Sequence, residues 1–439
     1  MRQTLLTMTT AEKARVDPRI GGFVPALEGM RGLAAVGVLL THVAFQTGST
    51  GTPLVGPLLG RLDLAVAVFF ALSGFLLWRP HAAAARGSRP RPSVRTYLVH
   101  RAARILPAYW LVVVVVLALL PGAGGGVRVW IANLTLVQVF VPLTLTQGMT
   151  QMWSLSVEVA FYLLLPFIGV AMAALRGPRA RLRTPVLVGV SALSLGWTFL
   201  PISTADGVNI ENWLPGYLAW FAAGMVVAEA AAELAIRETR PVSDLPAQSR
   251  PVSDLPAQSR PVSDLPAVPL VVRIASRRRL LTGIAAAAFA ASSTPIAGAQ
   301  DLTTPAAWQF AVKVALGAVV AFCLIAPLAV GTGVRTRWLS GPFALMIGRW
   351  SYGIFIWHLA VLAVVFPVLG VSPFGGQFLL VAGATVVLTL PVAAASYALV
   401  EEPVRVALRR REARRADRIR ANEGSAASAT APTDASAAS

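Results

Sequence analysis

Apolar residues fall in ten runs, each close to the twenty or so residues that carry an α-helix across a bilayer core. They lie at roughly 27–46, 62–78, 104–120, 153–173, 184–200, 213–232, 279–297, 309–330, 344–366 and 376–399. The pattern predicts an all-α fold, a polytopic membrane helix bundle of about ten transmembrane helices. Charge is confined to alternate connections. Loop 79–103 holds Arg79, Arg86, Arg89, Arg91, Arg95 and Arg101 without an acid, and loop 174–183 holds Arg176, Arg179, Arg181 and Arg183. Basic residues return between Arg237 and Arg279, at Arg335 and Arg337, and from Arg405 to Arg420. All of these fall on one side only if the number of crossings is even. The positive-inside rule then puts both termini in the cytoplasm.

Three stretches stand outside the helical pattern. Residues 240–267 repeat RPVSDLPAQS almost perfectly. A ten-residue period rich in Pro and Ser cannot build a packed core, so a flexible cytoplasmic spacer is expected there. From about 421 the tail becomes Ala/Ser/Thr-rich and is expected to be disordered. Segment 121–152 is apolar (Trp130, Ile131, Leu134, Val139, Phe140) and is expected to pack back into the bundle. The organisation read from this is a cytoplasmic segment 1–26, a ten-span domain 27–403 and a basic tail 404–439. Charges and the lack of an apolar stretch in residues 1–20 predict that the first run acts as an uncleaved signal anchor.

Composition narrows the class. Of 439 residues 56% are hydrophobic and 13% charged, about half the charge of a soluble domain. That excludes a disordered chain and disfavours an ordinary soluble enzyme. The net charge of +18 would suit nucleic acid if it formed one face. Its division among alternate loops argues for topology instead, so no nucleic-acid partner is expected. One cysteine, Cys323, allows no intrachain disulfide, and four scattered histidines give no metal-ligand spacing. No metal is expected.

Ionisable residues inside apolar runs are costly and point to function. The first run holds Arg31 and His42, eleven residues apart. At about 100° per residue both project from one helix face, separated by about 16 Å. Arg31 would lie near the cytoplasmic end, where it either snorkels to headgroups or serves the site. His42 would lie in the outer half, as a packing hydrogen bond or as a base. Glu158 enters from the outer side at a compatible depth, with Ser154 one turn before it. A carboxylate beside His42 would fix its tautomer and stabilise the imidazolium, as a general base needs. His358 in the ninth run is read as a substrate donor or structural residue. Arg101 and Arg104 open the third run, where forked guanidinium groups suit phosphate.

These residues sit in recognisable segments. LEGMRGLAAVGVLLTH (27–42), FFALSGFLL (69–77), RAARILP (101–107), WSLSVEVAFYLLLP (153–166), GRWSYGIFIWHLAV (348–361) and EEP (401–403) resemble, in order, the motifs of the acyltransferase-3 family of membrane O-acyltransferases. Many members carry an Asp in the turn before FF. Here that position is Ala67, and Asp63 lies one turn earlier on the same face.

The resemblance implies a ten-span enzyme without a tightly bound cofactor. It would move an acyl group, acetyl or short-chain, from acyl-CoA to a hydroxyl. The acceptor would be a cell-surface sugar or a glycosylated small molecule such as a macrolide. It also implies that His42 is essential, with Arg31 as its motif partner. The expected scheme docks acyl-CoA at Arg101 and Arg104, with Glu158 orienting His42 and with Ser154 and His358 near substrate. A transporter or flippase for a lipid-linked saccharide is the alternative; it would show two halves with paired, broken helices.

Overall fold

In lipid every backbone polar group must be satisfied internally, so the apolar runs have no choice but to become helices. The computed structural model describes residues 22–239, 269–301, 303–331 and 336–429. The described residues form helices and connections, with no strand among them. The helices are α1 (Pro25–Gln46), α2 (Ala65–Ala85), α3 (Val94–Leu119), α4 (Trp153–Ala171), α5 (Arg183–Ser194), α6 (Leu218–Thr239), α7 (Arg278–Ser292), α8 (Ala307–Val330), α9 (Pro342–Leu369), α10 (Phe378–Ser396) and α11 (Glu402–Ala429). Among the described residues nine helices, some counted with flanking turns, are long and apolar enough to cross a membrane.

The run expected at 279–297 is the exception. Helix α7 has 15 residues, about 22 Å of rise, and a separate turn, Pro295–Ala297, completes the run. The helix stops at Ser292-Ser293-Thr294, whose hydroxyls fold back on the carbonyls of Phe289 and Ala291, ahead of Pro295. Gly298, just past that turn, accepts from Arg61 Nη2 at 2.8 Å. The short helix is thereby tied to the connection that leads into α2.

The chain enters and leaves the bundle at one end. Arg79 donates to the Gly22 carbonyl at 3.0 Å, and Gly22 and Arg405 line one cavity. We call this the basic end and the other the far end. After α10 the basic tail forms α11, which runs to Ala429; its stretch up to Arg420 is rich in Ala, Arg and Glu, all strong helix formers. Residues 1–21, the repeat at 240–267, Arg335 and the chain after 429 lie outside the described residues.

Segment 121–152 packs against the bundle as its apolarity requires. It contains the helix Val127–Leu134, and Tyr109 donates to the Asn133 carbonyl at 2.5 Å. Gln151 donates to the carbonyls of Phe355 and Ile356 at 3.4 and 3.2 Å.

Two crossings are too close for side chains. A Cβ on Gly74 of α2 would lie 2.0 Å from the Phe221 carbonyl, and one on Gly224 of α6 would lie 1.8 Å from that of Ala71. In α1 and α9, a Cβ on Gly32 would meet Gly348 N at 2.9 Å, and one on Gly348 would meet the Glu28 carbonyl at 2.3 Å. Small residues permit such backbone approach between membrane helices.

Candidate active site

The α1–α9 crossing sets the position of two histidines. Both helices start at the basic end, and ten residues separate Gly32 from His42 and Gly348 from His358. Equal offsets carry the two rings to the same height, about 15 Å from the crossing. Their centroids are 5.1 Å apart. Nδ1 of His42 is 2.8 Å from the Val38 carbonyl, and Nδ1 of His358 is 2.8 Å from the Phe355 carbonyl and 3.1 Å from that of Ile354. A carbonyl only accepts, so both protons sit on Nδ1. Nε2 of His358 then accepts a second branch of the His42 Nδ1–H at 3.3 Å. The lone pair on His42 Nε2 is left free.

His42 lines a cavity of about 570 Å³ at the far end. Its wall also carries Gln46, Asp63, Trp153, Glu211, Tyr217, Gln300 and Lys313. Lys313 Nζ is 2.6 Å from Asp63 Oδ2. Burial pushes the Glu211 carboxyl above its ordinary range, against the lowering pull of Asn209 and Lys313. The wall is thus a mixture of hydrogen-bonding groups and aromatic faces.

At the basic end a second cavity, of about 560 Å³, is lined by five guanidinium groups: Arg31, Arg79, Arg104, Arg349 and Arg405. Glu28 and Glu401 face them. Glu401 closes a π-helical turn, Tyr397–Glu401, between α10 and α11; such turns often mark functional positions. Its Oε1 is buried without a partner.

A narrow space of about 60 Å³ lies between the two. It shares Arg31, Leu76, Arg104 and Tyr352 with the basic cavity and Val66 with the far one. Arg101, Ser154 and Glu158 line it too, beside the apolar Phe69, Phe70 and Leu72. This space, the neck, thus abuts both cavities.

The residues singled out from the sequence divide among these spaces. Arg31 turns inward, 3.4 Å from Glu28, and lines the basic cavity and the neck. Arg104 does the same. Arg101 stands at the neck with its guanidinium 6.0 Å from the centre of the Tyr162 ring. Ser154 donates to the Gln151 carbonyl at 3.2 Å.

Two expected placements are corrected. Glu158 does not meet His42. Its Oε1 accepts from Tyr162 at 2.6 Å and from the Ser73 hydroxyl, among the arginines of the neck. Depth alone had paired it with His42, but depth does not fix azimuth, and Ser73 of α2 occupies the face Glu158 presents. His358 is fully buried and lines none of the three spaces. It touches His42, in the position expected of Glu158.

A family model described as an acyltransferase domain matches residues 24–398, the stretch that holds every residue lining the far cavity and the narrow space and all but Gly22, Phe23, Glu401 and Arg405 of the basic cavity. The chain belongs to the acyltransferase-3 family. Among relatives, it is 36% identical over 157 residues to Acyltransferase MdmB of Streptomyces mycarofaciens, covering 33% of this chain and 38% of that protein. It is 24% identical over 208 residues to the peptidoglycan O-acetyltransferase OatA of Listeria monocytogenes, covering 42% of this chain and 30% of that protein. The matches thus span well under half the length of either relative. No solved structure matches the chain.

In this acyltransferase-3 chain the motif residues gather along one internal route, and others join them that sequence reasoning missed. Ser73 and Tyr162 hold Glu158, and both belong to motif segments, which was the available signal. The Asp63–Lys313 pair joins two separate runs, and nothing in either run announces the other. Glu229 lies inside the sixth run and carries the signal used for Glu158, a carboxylate in an apolar helix. It is fully buried and serves a different place.

Proposed function

We propose that the chain is a membrane O-acyltransferase that uses acyl-CoA and acylates a hydroxyl of a cell-surface sugar or glycosylated small molecule. The observation that carries this reading is the free Nε2 of His42 in a polar cavity, with the narrow neck lying between it and an arginine-lined cavity at the opposite end. The five guanidinium groups fit the phosphates of the donor. A neck of about 60 Å³ admits a single thin arm and excludes a nucleotide. The donor's nucleotide therefore stays at the basic end, while its thioester arm reaches toward His42. Charge asymmetry supports a cytoplasmic basic end, the compartment that supplies the donor.

In the far cavity His42 Nε2 takes the proton of the acceptor hydroxyl as its oxygen attacks the thioester carbonyl. The C–S bond breaks, the new ester forms, and the imidazolium returns its proton to the leaving thiolate. His358 Nε2 accepts from the imidazolium Nδ1–H throughout and keeps the ring oriented. The Trp153 and Tyr217 rings suit the apolar faces of a sugar, and the surrounding amides and carboxylates suit its hydroxyls. A short acyl group matches the narrow neck.

The test is incubation of purified protein in nanodiscs with labelled acetyl-CoA and a panel of glycoside acceptors. Labelled ester must form with wild-type protein and vanish with His42→Ala. Release of label as free acetate alone, with every acceptor inert, would overturn the transferase reading.

A further inference from the structure

A cleft at the basic end shares no lining residue with the three spaces above. It lies between the end of α2, the start of α3, the second half of α4 and Arg183 at the start of α5, and holds about 220 Å³. Arg91, Arg176, Arg183 and His81 line it, and no carboxylate does.

Arg183 is fixed there by the neighbouring core. Glu229 of α6 accepts from Trp78 Nε1 and Arg183 Nε, each at 2.7 Å, and from Arg86. The Arg183 guanidinium stands 4.9 Å from the Trp78 ring, and His81 stacks on the same indole at 5.0 Å. Arg183 Nη1 donates to the Met172 carbonyl at 3.1 Å. Nη2 is buried with no partner, and Arg183 is only 3% exposed. A buried charged donor left unpaired is costly. Among the described residues neither Arg91 nor Arg176 forms an ion pair. On α4 the exposed apolar side chain of Val170 lines the cleft and that of Phe167 lies beside it.

We propose that this cleft binds a phosphate group, carried by an acidic phospholipid headgroup or by a free phosphate compound. The one unpaired guanidinium edge is rigid, the other two arginines are free to close on the anion, and forked donors match phosphate oxygens. Basic pockets between membrane helices at the positive face are suited to such headgroups.

The experiment uses the full chain in detergent. Native mass spectrometry counts phosphatidylglycerol retained during titration, and thermal shift follows inorganic phosphate at millimolar levels. Arg91→Ala/Arg176→Ala should weaken binding roughly tenfold or more, since each basic residue near the headgroup contributes about a factor of five. Arg179→Ala/Arg181→Ala, which removes equal charge from the turn beside Arg176 but outside the cleft, should stay within about threefold of wild type. Loss of lipid adducts with no phosphate response assigns a headgroup; a phosphate shift lost in the cleft variant, with lipid adducts unchanged, assigns a free phosphate. Equal losses in both variants, or no binding of either probe by wild type, would overturn the proposal.

Discussion

A neutral imidazole has one proton to place, and at His42 the Val38 carbonyl takes it on Nδ1. What remains reactive is Nε2, and the neighbour that holds the ring is His358 rather than a carboxylate. His42→Ala should leave the protein in the membrane at wild-type level and abolish acyl transfer, read as ester formation per mole of protein. His358→Ala should lower kcat by roughly 10²-fold, at the low end of what a positioned base contributes, with the KM for acyl-CoA unchanged. His358→Gln keeps an oxygen that can accept from His42 and should recover part of that loss. Glu158→Gln should behave differently. Standing among the neck arginines with Ser73 and Tyr162, it should change the KM for acyl-CoA more than kcat, and its effect should multiply with that of His358→Ala. A shared, non-additive loss would instead return Glu158 to His42.

Helix α1 meets α9 where Gly32 faces Gly348, and that contact sets the height of both histidines. Gly348→Ala puts a methyl 2.3 Å from the Glu28 carbonyl, so the helices must part. Thermal unfolding in detergent should show a loss of about 1–3 kcal/mol, the usual cost of overpacking, together with reduced transfer. Gly283→Ala in α7 meets open space and should be neutral or stabilising by up to about 1 kcal/mol. Most elements were legible in the sequence because a twenty-residue apolar run has few other fates in lipid. The run at 279–297 is helical too, but its continuous helix ends at Ser292, since the Ser-Ser-Thr-Pro stop hidden behind its Ala content breaks it before the far end. The site was legible as a list of motif residues and their depths. Its pairings were not, because azimuth depends on which helices touch. The histidine pair is the instructive case: once Gly32 and Gly348 are known to cross, equal ten-residue offsets place His42 and His358 at one height, but only the structure shows that their rings turn toward each other.

Across the whole molecule, two cavities lie at opposite ends with a narrow neck between them, and under the proposed function donor and acceptor arrive from different faces. The repeat at 240–267 has a composition with no part in that route. Deleting residues 240–259 removes two whole units, and 233–239 with 260–278 still join the flanking helices. Transfer should stay within a few-fold, measured beside membrane abundance. The central claim is tested most directly in sealed membrane vesicles from cells that carry the chain, supplied with labelled acetyl-CoA from outside. Inside-out vesicles, whose cytoplasmic face is exposed, should transfer label to material in their lumen and lose that transfer with His42→Ala. Right-side-out vesicles should stay inert until permeabilised. Equal labelling in intact vesicles of both orientations, or labelling that survives His42→Ala, would contradict a donor route through the neck to His42.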